Sequence, residues 1–182
     1  MKTYQLPYTI HNGHGEQLTF ERITFRDGKE ILEVSNRVQP QAGPPMHVHW
    51  KQDECLIVEQ GRIGYQLKGG PEVFAEAGST VLFKAGEAHR FWNAGKDELI
   101  CSGWISPANN IIYFLDKIYE TTRENGGRPG NFEGAYLLAK YKSEFDMLDI
   151  PGFVKSVIFP ITVFMGKMSG KHKRYADAPP AV

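Results

Sequence analysis

Hydrophobic positions fall into two regimes along the chain. From Gln17 to Ser106 they come as short or alternating runs: Leu18, Phe20, Ile23 and Phe25, then Ile31, Leu32, Val34 and Val38, then Cys55 to Val58, Ile63 to Leu67, Thr80 to Phe83, His89 to Asn93 and Leu99 to Ile105. Gly61, Gly69-Gly70-Pro71, Gly78, Gly86 and Gly95-Lys96-Asp97 separate the later runs, and Asp27-Gly28 between the first two is the signal of a type I′ hairpin turn. Short strands spaced by roughly 8 to 12 residues predict a β-sandwich or barrel.

After Pro107 the period lengthens. Ile111, Leu115 and Ile118 share one helical face; Leu137, Tyr141, Phe145 and Leu148 share another, with Asn125 to Gly130 as the break. A third helix is expected from Pro151, with Val154, Val157, Ile158, Ile161, Met165 and Met168 along one stripe and Pro160 as a kink. The expected organisation is an N-terminal arm (1–16), a β-barrel (17–106), a helical extension (107–169) and a mobile tail (170–182).

A chain of 182 residues is the length of one domain with an appendage, and 41% hydrophobic with 23% charged residues is a globular composition. Lys plus Arg and Asp plus Glu balance at 21 each, so no overall positive field gathers phosphates and a nucleic-acid partner is not expected. The sequence shows no secretory pattern and no run of roughly 18 apolar residues, which leads us to expect a cytoplasmic protein. Cys55 and Cys101 sit in apolar runs and read as buried, reduced thiols.

The chemistry concentrates at histidines. His47 and His49 stand two apart, so a strand sends both imidazoles to one face, and Glu54 opens the next apolar run, where a returning strand can bring its carboxylate back. Two neutral nitrogens and one anionic oxygen suit a divalent transition ion. His89 begins a further strand and can close the site from a third side. His11, His14 and His172 lie in Gly-rich or basic stretches and read as solvated, while strand alternation turns Cys55 away from Glu54.

The stretch Gly43 to Gly61, containing His47-x-His49, four residues, Glu54, six residues and Gly61, resembles the first motif of the cupin superfamily. Gly78-x5-Lys84-x-Gly86-x2-His89-x3-Asn93 resembles its second. Two departures stand out: three residues separate Gly43 from His47 where five are usual, and Lys84 replaces a common proline. The resemblance implies a mainly β protein, a double-stranded β-helix (jelly-roll barrel), here with a C-terminal helical appendage. It implies one divalent transition metal ion (Fe, Mn, Ni, Cu or Zn) held by His47, His49, Glu54 and His89, with Glu54 also a candidate base.

Parity adds Leu56 and Val58 to the face of Glu54, and Phe91 and Asn93 to that of His89, as expected walls of an apolar substrate pocket. Tyr65, Trp104 and Arg90 are candidate mouth residues. These features lead us to expect a metal-dependent oxygenase acting on a small organic, even phenolic, substrate. The alternatives are a metal-dependent isomerase or epimerase, with Tyr65 or Lys84 as acid or base, and a non-enzymatic small-molecule-binding module. A homodimer is expected. A membrane partner is not, although the apolar third segment lies beside Lys171, Lys173 and Arg174.

Overall fold

A computed structural model describes residues 3–182. Among them the strands are β1 (Tyr8–His11), β2 (Glu16–Arg26), β3 (Lys29–Val38), β4 (His47–His49), β5 (Asp53–Gln60), β6 (Arg62–Leu67), β7 (Glu72–Glu76), β8 (Thr80–Phe83), β9 (His89–Asn93), β10 (Leu99–Ser106) and β11 (Phe145–Met147). The helices are α1 (Ile111–Glu124), α2 (Asn131–Lys140) and α3 (Phe159–Met168), the last preceded by a π-helical run at Val154–Ile158 and followed by a 3₁₀ turn at Lys171–Tyr175.

The strands form two antiparallel sheets, β1-β2-β3-β10-β5-β8 and β11-β4-β9-β6-β7. Asp27 (φ 51°) and Gly28 (φ 75°) both take the left-handed conformation of a type I′ turn, joining β2 to β3 as expected. Register then fixes what faces inward. Leu18, Asn36, Cys101 and Val58 lie in one row across the first sheet, and Leu32, Ile105, Glu54 and Phe83 lie in another. The inner face of that sheet is covered twice. Over β5, β8 and β10, the second sheet closes an aliphatic core of Val38, Leu56, Val58, Ile63, Val81 and Leu99. Over β1 to β3, the helices close a core rich in aromatic rings, with Phe20, Tyr113, Phe114, Phe132, Tyr141 and Phe145.

Several expectations need correction beyond residue 106. The N-terminal arm joins the fold: Ile10 pairs with Leu18 and extends the sheet, and the hydroxyls of Tyr4 and Tyr8 donate to Asp116 on α1 at 2.9 and 2.8 Å. Met1 and Lys2 of that arm lie outside the described residues. The second helix ends at Lys140, so Phe145 and Leu148 do not continue its face. Phe145 instead sits in β11, pairs with His49 and stacks on Phe114 at 4.5 Å, an edge-strand role that its helical spacing conceals. The tail is docked: Tyr175 is buried, Tyr113 and Tyr141 donate to Asp177 and to the Pro179 carbonyl, and the Val182 amide donates to Glu144. The stripe of the third helix faces outward, with Ile161 and Met165 exposed.

Candidate metal centre

The short strand β4 places His47 opposite His89 of β9 in direct register, while β5, from the other sheet, carries Glu54 towards them. The structure brings together His47, His49, Glu54 and His89, with one ligating atom from each within 4.8 Å of the others. Donors at about 2.0 to 2.2 Å from one ion lie at most about 4.4 Å apart, so adjustments of tenths of an ångström would let all four share it. Local geometry explains the convergence. Gly43 (φ 151°) lies so close to β9 that a Cβ would stand 2.1 Å from the Phe91 carbonyl, and this drives the chain into β4 beside β9. The Gly86 amide donates to the His49 carbonyl at 2.7 Å, fastening the loop before β9 to the same strand.

Hydrogen bonding selects the tautomers. His47 Nδ1 lies 2.8 Å from the Pro45 carbonyl and His89 Nδ1 lies 2.8 Å from the Glu87 carbonyl, contacts that require each Nδ1 to carry a proton. In a neutral ring Nε2 then presents a lone pair. His89 Nε2 is 3.3 Å from Glu54 Oε2 and His49 Nε2 is 3.6 Å from the same oxygen. Lone pairs facing a carboxylate repel unless a cation lies between them. Burial, joined by the other two histidines, pushes His47 down to about 3, and burial also lowers His49, so those two rings do not supply the charge as imidazolium at neutral pH. Burial alone would raise Glu54, but the His89 contact and the neighbouring histidines outweigh it and hold the carboxyl down at about 2. Three imidazoles and one carboxylate therefore form a donor set that fits a divalent ion.

The walls are aromatic. Phe83, opposite Glu54 in the sheet, stacks on His89 at 3.8 Å and 3°, and Phe145 meets His49 edge-on at 5.6 Å. Neither was anticipated: strand parity opposite Glu54 could have found Phe83, whereas nothing in the sequence separates Phe145 from its helical neighbours. Gln52, two residues before Glu54, was also missed. It is buried, and its amide has no hydrogen-bond partner among the described residues.

The expected pocket walls are placed differently. Leu56 and Val58 belong to the packed aliphatic core, as does the buried ring of Phe91, because the second sheet closes directly over them. Asn93 is a correction: its amide donates to the Val38 and Asp97 carbonyls and its oxygen accepts from the Gly95 amide, so it holds a turn. Tyr65 packs towards Phe83, whereas Arg90 lies outside, bonded to Gln66 and Glu72 and resting over Trp92 at 4.9 Å. That outer face borders a cleft of about 820 Å³ whose lining includes Met46, Arg90 and Trp92 and none of the four ligands. Trp104 pairs with Cys55 and Glu33, on the opposite side of β10 from the inward rows. Lys84 is exposed, with its ammonium 3.3 Å from Asp53 and its amide donating to Glu87, which a proline would forbid.

His11 and His14 are exposed, and neither they nor His172 join the cluster. Cys55 and Cys101 are buried and free of disulfide.

Residues 36–104 match the family model of the cupin domain, a span that holds all four clustered residues. This part of the chain is a cupin domain. The chain is 35% identical over 96 residues to "Probable oxidoreductase virH" of Hypocrea virens, an alignment covering 48% of this chain and 44% of that protein. It is 38% identical over 106 residues to "Oxidoreductase iacF" of Pestalotiopsis fici, covering 53% and 52% respectively. The chain thus spans about half the length of the curated relatives it matches. Among solved structures, KdgF from Halomonas sp. aligns with a TM-score of 0.45 at 18% identity, over 54% of this chain and 84% of that one. No helix among the described residues is long and apolar enough to cross a membrane.

Proposed function

We propose that the chain is a metal-dependent oxygenase acting on a small organic substrate, with a phenol or another aromatic as the preferred class. The observation that carries this reading is the convergence of three imidazoles on one buried carboxylate, with one ligating atom from each residue within 4.8 Å of the others. His47, His49, Glu54 and His89 would hold it. A redox-active divalent ion bound there supplies electron exchange with dioxygen and stabilises charge on a substrate oxygen, while an octahedral ion keeps two positions beyond these four donors.

The chain's own residues set the conditions for that chemistry. The Pro45 and Glu87 carbonyls fix two imidazoles with Nε2 presented to the site. Phe83 and Phe145, both buried, pack against His89 and His49 and hold those rings in place. The oxidoreductase names of both curated relatives support the class of reaction. The isomerase reading loses one of its proposed acid–base groups, since Lys84 is paired with Asp53 at the surface. The test is anaerobic loading with Fe(II), Mn(II), Ni(II), Cu(II) or Zn(II), followed by oxygen-uptake measurements on a panel of phenols and catechols. Oxygen consumption dependent on both metal and substrate is expected. Metal-replete protein that consumes no oxygen with any of them overturns the proposal.

A further inference from the structure

The segment after β11 builds a helix with two apolar faces. One face docks on α2: Gly166 is buried so closely against Phe132 that a Cβ would stand 2.0 Å from the ring, and Phe159 packs into the aromatic core. The opposite face carries Phe153, Val157, Ile161, Phe164 and Met168, spaced by three and four residues and 45 to 75% exposed. Ile158 and Met165 widen the stripe at 41 and 65% exposure. Together they present several hundred Å² of carbon surface, the scale of the roughly 800 Å² that each partner covers in a stable dimer.

The charges around the stripe are divided by end. Asp149 is exposed just before the segment begins, whereas Lys167, Lys171 and Lys173 are exposed where it finishes. Lys155 is bound to Asp146, and Arg174 to Glu120 and Glu124, so these two do not alter the division. A uniformly anionic lipid surface would attract one end and repel the other. A second copy lying antiparallel meets each end with its opposite, and opposed helix dipoles favour the same arrangement.

We propose that this stripe joins two copies of the chain about a two-fold axis near Ile161. The pairing is isologous: Phe153 meets the second copy's Met168, Val157 meets its Phe164, and Asp149 falls beside its Lys171 and Lys173. This contact lies outside the four clustered residues and holds whether or not the centre is an oxygenase.

Sedimentation velocity of the full chain over a wide concentration range tests it. The wild type is expected to sediment as a dimer, and Phe164→Glu as a monomer with an unchanged circular dichroism melt. Asp149→Lys is expected to weaken association roughly tenfold, and the added pair Lys171→Asp and Lys173→Asp to restore it. A wild type that is monomeric throughout overturns the proposal, as does a Phe164→Glu protein that keeps the dimer mass. A monomer that floats with phosphatidylserine vesicles assigns the stripe to lipid instead.

Discussion

The inner face of the first sheet is covered by strands on one side and by helices on the other, and buried charges are treated differently under each. Under the helices, every buried carboxylate is met by donors. Asp116 accepts from Tyr4 and Tyr8, Glu144 accepts from the Asn110 amide, the Asn110 side chain and the Val182 amide, and Glu16 accepts from Asn12 and Tyr119. At the mouth of the strand-covered core, Glu54 is met by imidazoles instead, with His89 Nε2 at 3.3 Å and His49 Nε2 at 3.6 Å from one of its oxygens. A buried acid with its own donors is explained by folding. One gathered with three imidazoles is placed to share a cation with them, and that difference sets Glu54 apart from the other buried carboxylates.

The sharpest way to break the comparison is to remove ligands. Protein purified without a tag or added metal is expected to carry close to one transition ion per chain by elemental analysis. His49→Ala and Glu54→Gln are each expected to lose most of it, retaining less than about a tenth, because an open first coordination position costs far more than a lost hydrogen bond. Asp116→Ala should do the reverse. It removes the charge-assisted hydrogen bonds from Tyr4 and Tyr8, for a loss of about 2 to 4 kcal/mol in urea denaturation, while metal content stays at the wild-type level. Metal lost from Asp116→Ala, or kept by both ligand variants, would erase the distinction.

The same division governs what the sequence disclosed. His47, His49, Glu54 and His89 are legible because period-two alternation puts both β4 histidines on one face, and the motif spacing brings the other two from neighbouring strands. The strand-covered core is legible for the same reason, down to the Asp27-Gly28 turn. Parity tells which side a residue faces and not what closes over it, so Leu56 and Val58 read equally well in the sequence as lining or as filling, and the structure packs both into the core.

The helical side resisted reading for a different cause. Leu137, Tyr141 and Phe145 keep a helical spacing although the helix stops at Lys140, since strand pairing with His49 recruits Phe145 from a distance no local pattern records. The tail's Ala-Pro-Pro composition suggested mobility, yet its carbonyls and amide are taken up by Tyr141, Asn110 and Glu144. Tertiary partners, invisible to periodicity, decide both cases.

Glu16 offers the finest test, because it is the donor-satisfied acid that still carries a cost. Burial pushes its carboxyl up, the Tyr119 and Asn12 contacts pull it partly back, the charge of Glu54 adds to the rise, and the result is about 7. Between the usual carboxylate range and that value the folded chain holds a proton that the unfolded chain has released. Stability therefore falls as pH rises through this window, and the full penalty is present above pH 7. Glu16→Gln keeps the shape and one acceptor without the charge. Its unfolding free energy is expected to be nearly flat between pH 5 and pH 8 at this position's share, exceeding the wild type at pH 8 by about 2 to 3 kcal/mol and matching it near pH 5. Denaturant midpoints across that range measure it: parallel curves for the two proteins would mean that Glu16 ionises in the fold without cost, and that its donors compensate burial fully.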